Sequence, residues 1–217
     1  MGHTFGRFHR LNLEFILSAD ALATNLRYIS RKISEERKYM TKIVLIFGLI
    51  SGAIAGFLMW ILMSFVGKGS IDFDSGMLWG YATMIIALSL VFFGIKSYRD
   101  NNGGRITFLK GLQVGILISL ISAVCYAASW EIYYPSVGDE FMQKYTAHEL
   151  NKMKTSGVSD AEIEKARVEG QQFMEMYKNF FVRFAFSIVE ILPVGVIVTL
   201  ISAALLRKRE ILPAQLA

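Results

Sequence analysis

The chain has 217 residues, 53% of them hydrophobic and 13% aromatic, with a mean hydropathy of +0.42. That is long enough for one domain of ordinary size and too apolar for a typical soluble one. The net charge of +5 requires no nucleic acid, because most of the Lys and Arg surplus flanks apolar runs, where anionic lipid headgroups would lie.

Residues 1–39 differ from the rest. They are polar and basic, with one short apolar patch from Leu13 to Leu17 that is too short for a cleavable secretory signal and is followed by no small-residue site. Met40 stands directly before Thr41-Lys42, where a short basic lead-in should begin. Glu35-Glu36-Arg37 would be written in purine-rich codons, as a bacterial ribosome-binding site is. The first 39 residues are therefore expected to be a dispensable extension or an over-long reading of the gene.

Four charge-poor runs follow, over residues 43–66, 77–95, 109–131 and 183–206. A hydrocarbon core of ~30 Å needs about 20 apolar residues in a helix, and each run comes close to that. Continuous runs exclude the alternation of a barrel. The expectation is an all-α integral membrane protein with four transmembrane helices. The first run has Lys42 before it and small residues in SGAIAG, but it continues to Val66, so an uncleaved signal anchor is predicted.

Orientation follows from the basic residues. Arg37, Lys38 and Lys42 precede the first run, and Arg207, Lys208 and Arg209 follow the last. Lys96, Arg99, Arg105 and Lys110 occupy the second connection, whereas the first has only Lys68 beside Asp72 and Asp74. The positive-inside rule then places both termini, including the tail at 210–217, in the cytoplasm of a bacterium, with the chain in its inner membrane. The first and third connections lie outside. The lone cysteine, Cys125, excludes an intrachain disulfide, and His3, His9 and His148 all lie outside the runs. No cofactor or metal site is expected within the spans.

Small residues recur at helical spacing: Gly48, Gly52 and Gly56 in the first span, Gly111, Gly115 and Ser119 in the third, and Gly195, Thr199 and Ala203 in the fourth. Such stripes let helices approach closely in lipid. Two uses stay open, packing within the bundle and homodimerisation through the first span. The third connection is read as an extracytoplasmic helical hairpin over residues 136–182. WEIYYP places Trp130, Tyr133 and Tyr134 at the interface, and Pro135 is expected to break the helix there. A first outer helix carries Phe141, Tyr145, His148 or Glu149, and Lys152 near one another on its surface, to pack on the second outer helix or to meet a partner. The chain turns near Thr155-Ser156-Gly157, and Ser159 with Glu162 forms a capping box. Nothing between Gly170 and Pro193 stops a helix, so Asp160 to Leu206 should form one rod of roughly 70 Å.

Three segments, MTKIVLIFGLISGAIAG, GYATMIIALSLVFFGIKSYRDNNGGRITFLKG and VEILPVGVIVTLISAALLRK, resemble the bacterial membrane-protein family of domain of unknown function 4199. The resemblance covers Met40 to about Lys208. It implies the same four-span architecture of residues 40–209 and brings no activity, substrate or catalytic residue.

One carboxylate interrupts the last run: Glu190, with Pro193 three residues on. An ionised carboxylate in lipid is costly, so Glu190 is expected to face the bundle in its neutral form, at the depth of Thr83 and Tyr126. A polar knot that satisfies the carbonyl freed by Pro193, a proton or cation site, and a partner contact are the three readings. Glu131 and Arg183 are expected to pair across the interface as partly solvated anchors contributing ~1 kcal/mol or less. No catalytic set can be assembled within the spans. The functional expectation is a non-enzymatic membrane protein acting by self-association or with another membrane protein. The alternative is an oligomeric proton- or cation-coupled transporter using Glu190.

Overall fold

The computed structural model describes the backbone of residues 2–207 and the side chains of residues 25–207; the tail at 210–217 lies outside them. The chain divides into two units, Met1–Lys42 and Ile43–Ala217. The described part of the first unit is helical, within α1 (Gly2–Gly67). Its side chains from Asn25 to Lys38 are exposed, including Leu26, Ile29 and Ile33 on one helical face.

The second unit contains the rest of α1, then α2 (Phe73–Leu88), α3 (Leu90–Asn101), α4 (Phe108–Thr155), α5 (Asp160–Tyr177) and α6 (Phe180–Leu206). The chain is 90% helix, with no strand among the described residues. Four stretches are long and apolar enough to cross a membrane: Asn25–Gly67, Phe73–Asn101, Phe108–Thr155 and Phe180–Leu206.

Helix α4 carries small-residue contacts on two faces. On one, a Cβ added at Gly115 would lie 2.4 Å from Thr199 Cγ2, and one at Gly195 would lie 2.8 Å from Ser119 Cβ. Gly111 packs likewise against Ala203, so these positions form the α4–α6 seam. On the other face, a Cβ at Gly48, Gly52 or Gly56 would lie 2.7 Å or less from the side chain of Ile121, Cys125 or Ser129, respectively. The first-span stripe thus faces α4 of the same chain. Hydroxyls cross these seams: Ser122 Oγ donates to the Gly48 carbonyl at 3.2 Å, and Ser119 Oγ lies 3.4 Å from Thr199 Oγ1.

Three helix boundaries differ from the sequence expectation. Pro135 does not end a helix; α4 runs through it. Proline's fixed φ is helical, and what it removes is one backbone hydrogen bond. Packing holds both sides of that gap. Trp130 lies against Tyr134 and Phe141, and the Arg183 guanidinium stands 3.9 Å over the Tyr134 ring. The helix that follows the third span is therefore its continuation.

Helices α5 and α6 are not one rod. α5 ends at Tyr177, and Asn179 starts α6 by accepting hydrogen bonds at Oδ1 from the Phe181 and Val182 amides. Arg183 Nη1 donates to the carbonyls of Tyr177 and Lys178, which caps the end of α5. The second span is likewise two helices, parted at Ser89. Ser51 Oγ on α1 donates to the Ala87 carbonyl at 2.8 Å, and the Ser89 amide is shared between Ile85 and Ile86. Side-chain donors from elsewhere occupy groups that a continuous ladder would use.

The turn after α4 falls where expected, with Gly157 at φ +74° and the Ser159–Glu162 capping box present. α5 then folds back along α4, where Thr146 meets Gly170 and Met174.

Candidate functional site

A cavity of about 380 Å³ opens between α1, α2, α4, α5 and α6. Its depth follows from the helices that line it. On α2 the lining runs from Phe73 to Met84, a rise of roughly 16 Å along the axis. Phe141 and Tyr145 of α4, with Phe173 and Tyr177 of α5, surround the Phe73 end. Thr83, Met84, Tyr126 and Glu190 lie at the other. Among the described residues, eight aromatics and five methionines line the cavity; Glu190 is the one carboxyl, and no Lys, Arg or His joins them.

Glu190 faces the space between the helices: its carboxyl lines the cavity and keeps accessible surface there. Tyr126 Oη donates to Glu190 Oε2 at 3.4 Å, a long bond. Thr83 lines the same cavity, but its hydroxyl donates to its own helix at the Gly80 carbonyl, 2.8 Å away. Pro193 is exposed on α6, one turn further on, and does not line the cavity. Of the intramembrane residues singled out from sequence, the structure brings Tyr126, Thr83 and Glu190 together and leaves Pro193 aside.

Arg183 and Glu131 do meet, at the Tyr177 end. Arg183 Nε donates to Glu131 Oε1 at 2.9 Å and to Oε2 at 3.1 Å, and Nη2 also reaches Oε2. With side chains only 9% and 11% exposed, the pair is nearly buried rather than partly solvated, so breaking it costs more than a surface pair would. Burial also pushes the nearby Tyr177 phenol up to about 12.

At the Phe73 end, α2 is clasped to α4. The ring of Phe73 lies 5.7 Å from that of Phe141, 5.8 Å from Tyr145 and 5.3 Å from His148. Asp74 accepts from Lys152 Nζ at 2.7 Å and lies 3.5 Å from His148 Nε2. The face of the outer helix expected to pack on its hairpin partner is thus used against α2. Asp74, His148 and Glu149 have potential ligand atoms within 4.8 Å of one another, and among the described residues they are the one such group of three. Lys152 already holds Asp74, which weighs against a metal there. Glu190 has no second carboxyl or imidazole beside it in the cavity.

Sequence reasoning missed most of the lining, including Met59, Met63, Phe73 and Tyr177. The available signal was the methionine content, ten in the chain, since unbranched thioethers suit irregular space.

The family described as protein of unknown function DUF4199 matches residues 46–208, and the chain belongs to it. That match covers three quarters of the chain and begins after the first unit. No curated protein and no solved structure matches.

Proposed function

We propose that this DUF4199 protein is a non-enzymatic, multi-pass membrane protein that works by binding a small apolar or amphipathic molecule between its helices. One observation carries the reading: the cavity of about 380 Å³, lined by aromatic and methionine side chains with a few polar groups at its inner end. Its size falls in the range of small-ligand sites, and the mixture of broad apolar wall and sparse polar anchors is their usual chemistry. A binding role is read rather than a catalytic one because the group nearest Glu190 is the Tyr126 hydroxyl, at 3.4 Å, and the described lining adds no imidazole, thiol or second carboxyl to complete a catalytic set.

The membrane is read as the inner membrane of a bacterium, with both termini cytoplasmic and the cavity mouth outside. The distribution of Lys and Arg supports this orientation. A reporter active only in the periplasm should be silent after Arg209 and active at Ser156.

The binding test uses the full chain in detergent and the neutral fluorophore N-phenyl-1-naphthylamine. Saturable fluorescence enhancement is expected, and Gly80→Trp should abolish it while thermal unfolding stays cooperative. Gly80 lines the cavity and has open space beyond its Cα, the nearest atom to an added Cβ being Leu62 Cδ2 at 3.9 Å. Enhancement that never saturates, or that is unchanged in Gly80→Trp, would overturn the reading.

A second reading, coupled transport through Glu190, draws on the exposure of that carboxyl to the cavity. Transport in reconstituted vesicles that disappears in Glu190→Gln would favour it over simple binding.

A further inference from the structure

We propose that the cavity ligand is a lipophilic organic cation, an amine or onium centre carrying its own apolar groups, with Glu190 as its counter-charge. This deepens the binding reading above and rests on it.

Glu190 presents a carboxyl to a cavity whose lining, among the described residues, contains no base. Two cations on the helices that line the cavity are committed elsewhere. Arg183 is held by both oxygens of Glu131, by two carbonyls of the α5 end and by the Tyr134 ring. Lys152 is held by Asp74. Tyr126 supplies Glu190 with one long hydrogen bond, which leaves most of the acceptor capacity of a carboxylate unused. An acid at membrane depth is either held neutral or set against a partner. None of the described lining residues supplies that partner to Glu190, so a cation entering the cavity would be what ionises it.

The wall chemistry selects the kind of cation. Aromatic faces attract positive charge through their quadrupoles, and eight aromatic side chains line this space. Five methionines add polarisable thioethers that adapt to irregular shapes. An inorganic cation fits poorly, because it demands several oxygen ligands in place of its water. The described lining offers it one carboxyl and, beyond that, side-chain hydroxyls as its oxygen ligands, with no second carboxylate. A cation that brings apolar substituents needs only the carboxylate and the rings. An anion of the same shape would meet Glu190 with no base to receive it.

The experiment compares tetraphenylphosphonium with tetraphenylborate, ions of matched shape and opposite charge, by equilibrium dialysis against the full chain in detergent. N-phenyl-1-naphthylamine serves as the neutral reference. The wild type should bind the phosphonium saturably, and the borate should not displace it. Glu190→Gln should weaken phosphonium binding roughly tenfold or more while leaving the neutral probe unchanged, and Glu190→Asp should retain most of the cation affinity. Cooperative thermal unfolding of both variants shows that they fold. If the neutral probe binds but the phosphonium does not, or if the borate binds as well, or if Glu190→Gln has no effect, the cation assignment is overturned and the cavity reading stands. If no probe binds saturably, both fail.

Discussion

Replacing Gly52 by alanine adds one methyl group, and the seam between α1 and α4 lets its effect be worked out. The new Cβ would lie 2.4 Å from Cys125 Cβ, 2.9 Å from the Ser122 carbonyl oxygen and 3.1 Å from Ser122 Cα. Comfortable carbon contacts begin near 3.5 Å, so the helices must separate locally by about 1 Å. Two of the three obstructing atoms are backbone and cannot rotate aside. Overpacking of this kind costs about 1–3 kcal/mol. Separation also stretches the bond from Ser122 Oγ to the Gly48 carbonyl, now 3.2 Å, for about 0.5–1.5 kcal/mol more. Alanine's better helix propensity returns about 1 kcal/mol. The expected net loss is roughly 1–3 kcal/mol. Gly80→Ala is the control, since its Cβ meets nothing closer than 3.9 Å and only the propensity gain, up to about 1 kcal/mol, remains. Unfolding of both variants in mixed micelles, followed by circular dichroism against rising dodecyl sulfate, reads the difference. Equal stability of Gly52→Ala and Gly80→Ala would refute the α1–α4 seam as the place where this glycine is required.

Two further predictions concern the Tyr177 end of the cavity. Arg183→Met leaves Glu131 nearly buried without its partner and uncaps α5, so it should cost about 3–5 kcal/mol in the same assay; adding Glu131→Gln should recover part of the loss. Because the Tyr177 phenol is pushed up to about 12 by burial, the unfolded chain ionises first, near pH 10. Stability from this group is therefore complete below pH 10 and lost as pH rises toward about 12, and Tyr177→Phe should flatten that decline.

The four spans were legible because a membrane helix is declared by composition: each needs about 20 apolar residues in a row, and no distant residue has to be known. The glycine stripes were legible as close-packing faces for a similar reason, though not their partner, since a stripe does not say which helix it meets. The helix ends were not legible. Pro135 carries a strong local stop signal and is overridden by packing on both sides of it. Asn179 is a start signal easily passed over inside an unbroken pattern, and the break is completed by Arg183 of the following helix, which takes the Tyr177 and Lys178 carbonyls. Ser51, on another helix altogether, does the same to Ala87. In each case a neighbour in space outweighs the neighbour in sequence. The cavity is a further step removed, since it is space that the packing leaves unfilled. The sequence pointed to Glu190, Tyr126 and Thr83 by depth alone and could not say that they would edge a void.

Arg183 and Glu190 sit seven residues apart on α6, close to two full turns, so they share a face. The first is held by both oxygens of Glu131, two carbonyls and an aromatic ring, a set of contacts that explains why a charge can be there at all. The second has one long bond and open space. If stability alone shaped this face, Glu190 would be the easier of the two to dispense with. Glu190→Leu should then cost no more than about 1 kcal/mol, because the weak Tyr126 bond that it removes is offset by an apolar side chain on an apolar wall. The measurement is the same unfolding titration, run beside Arg183→Met. A loss of 3 kcal/mol or more would place Glu190 among the structural charges. A stable Glu190→Leu protein that no longer binds tetraphenylphosphonium would leave binding as the role of that carboxyl.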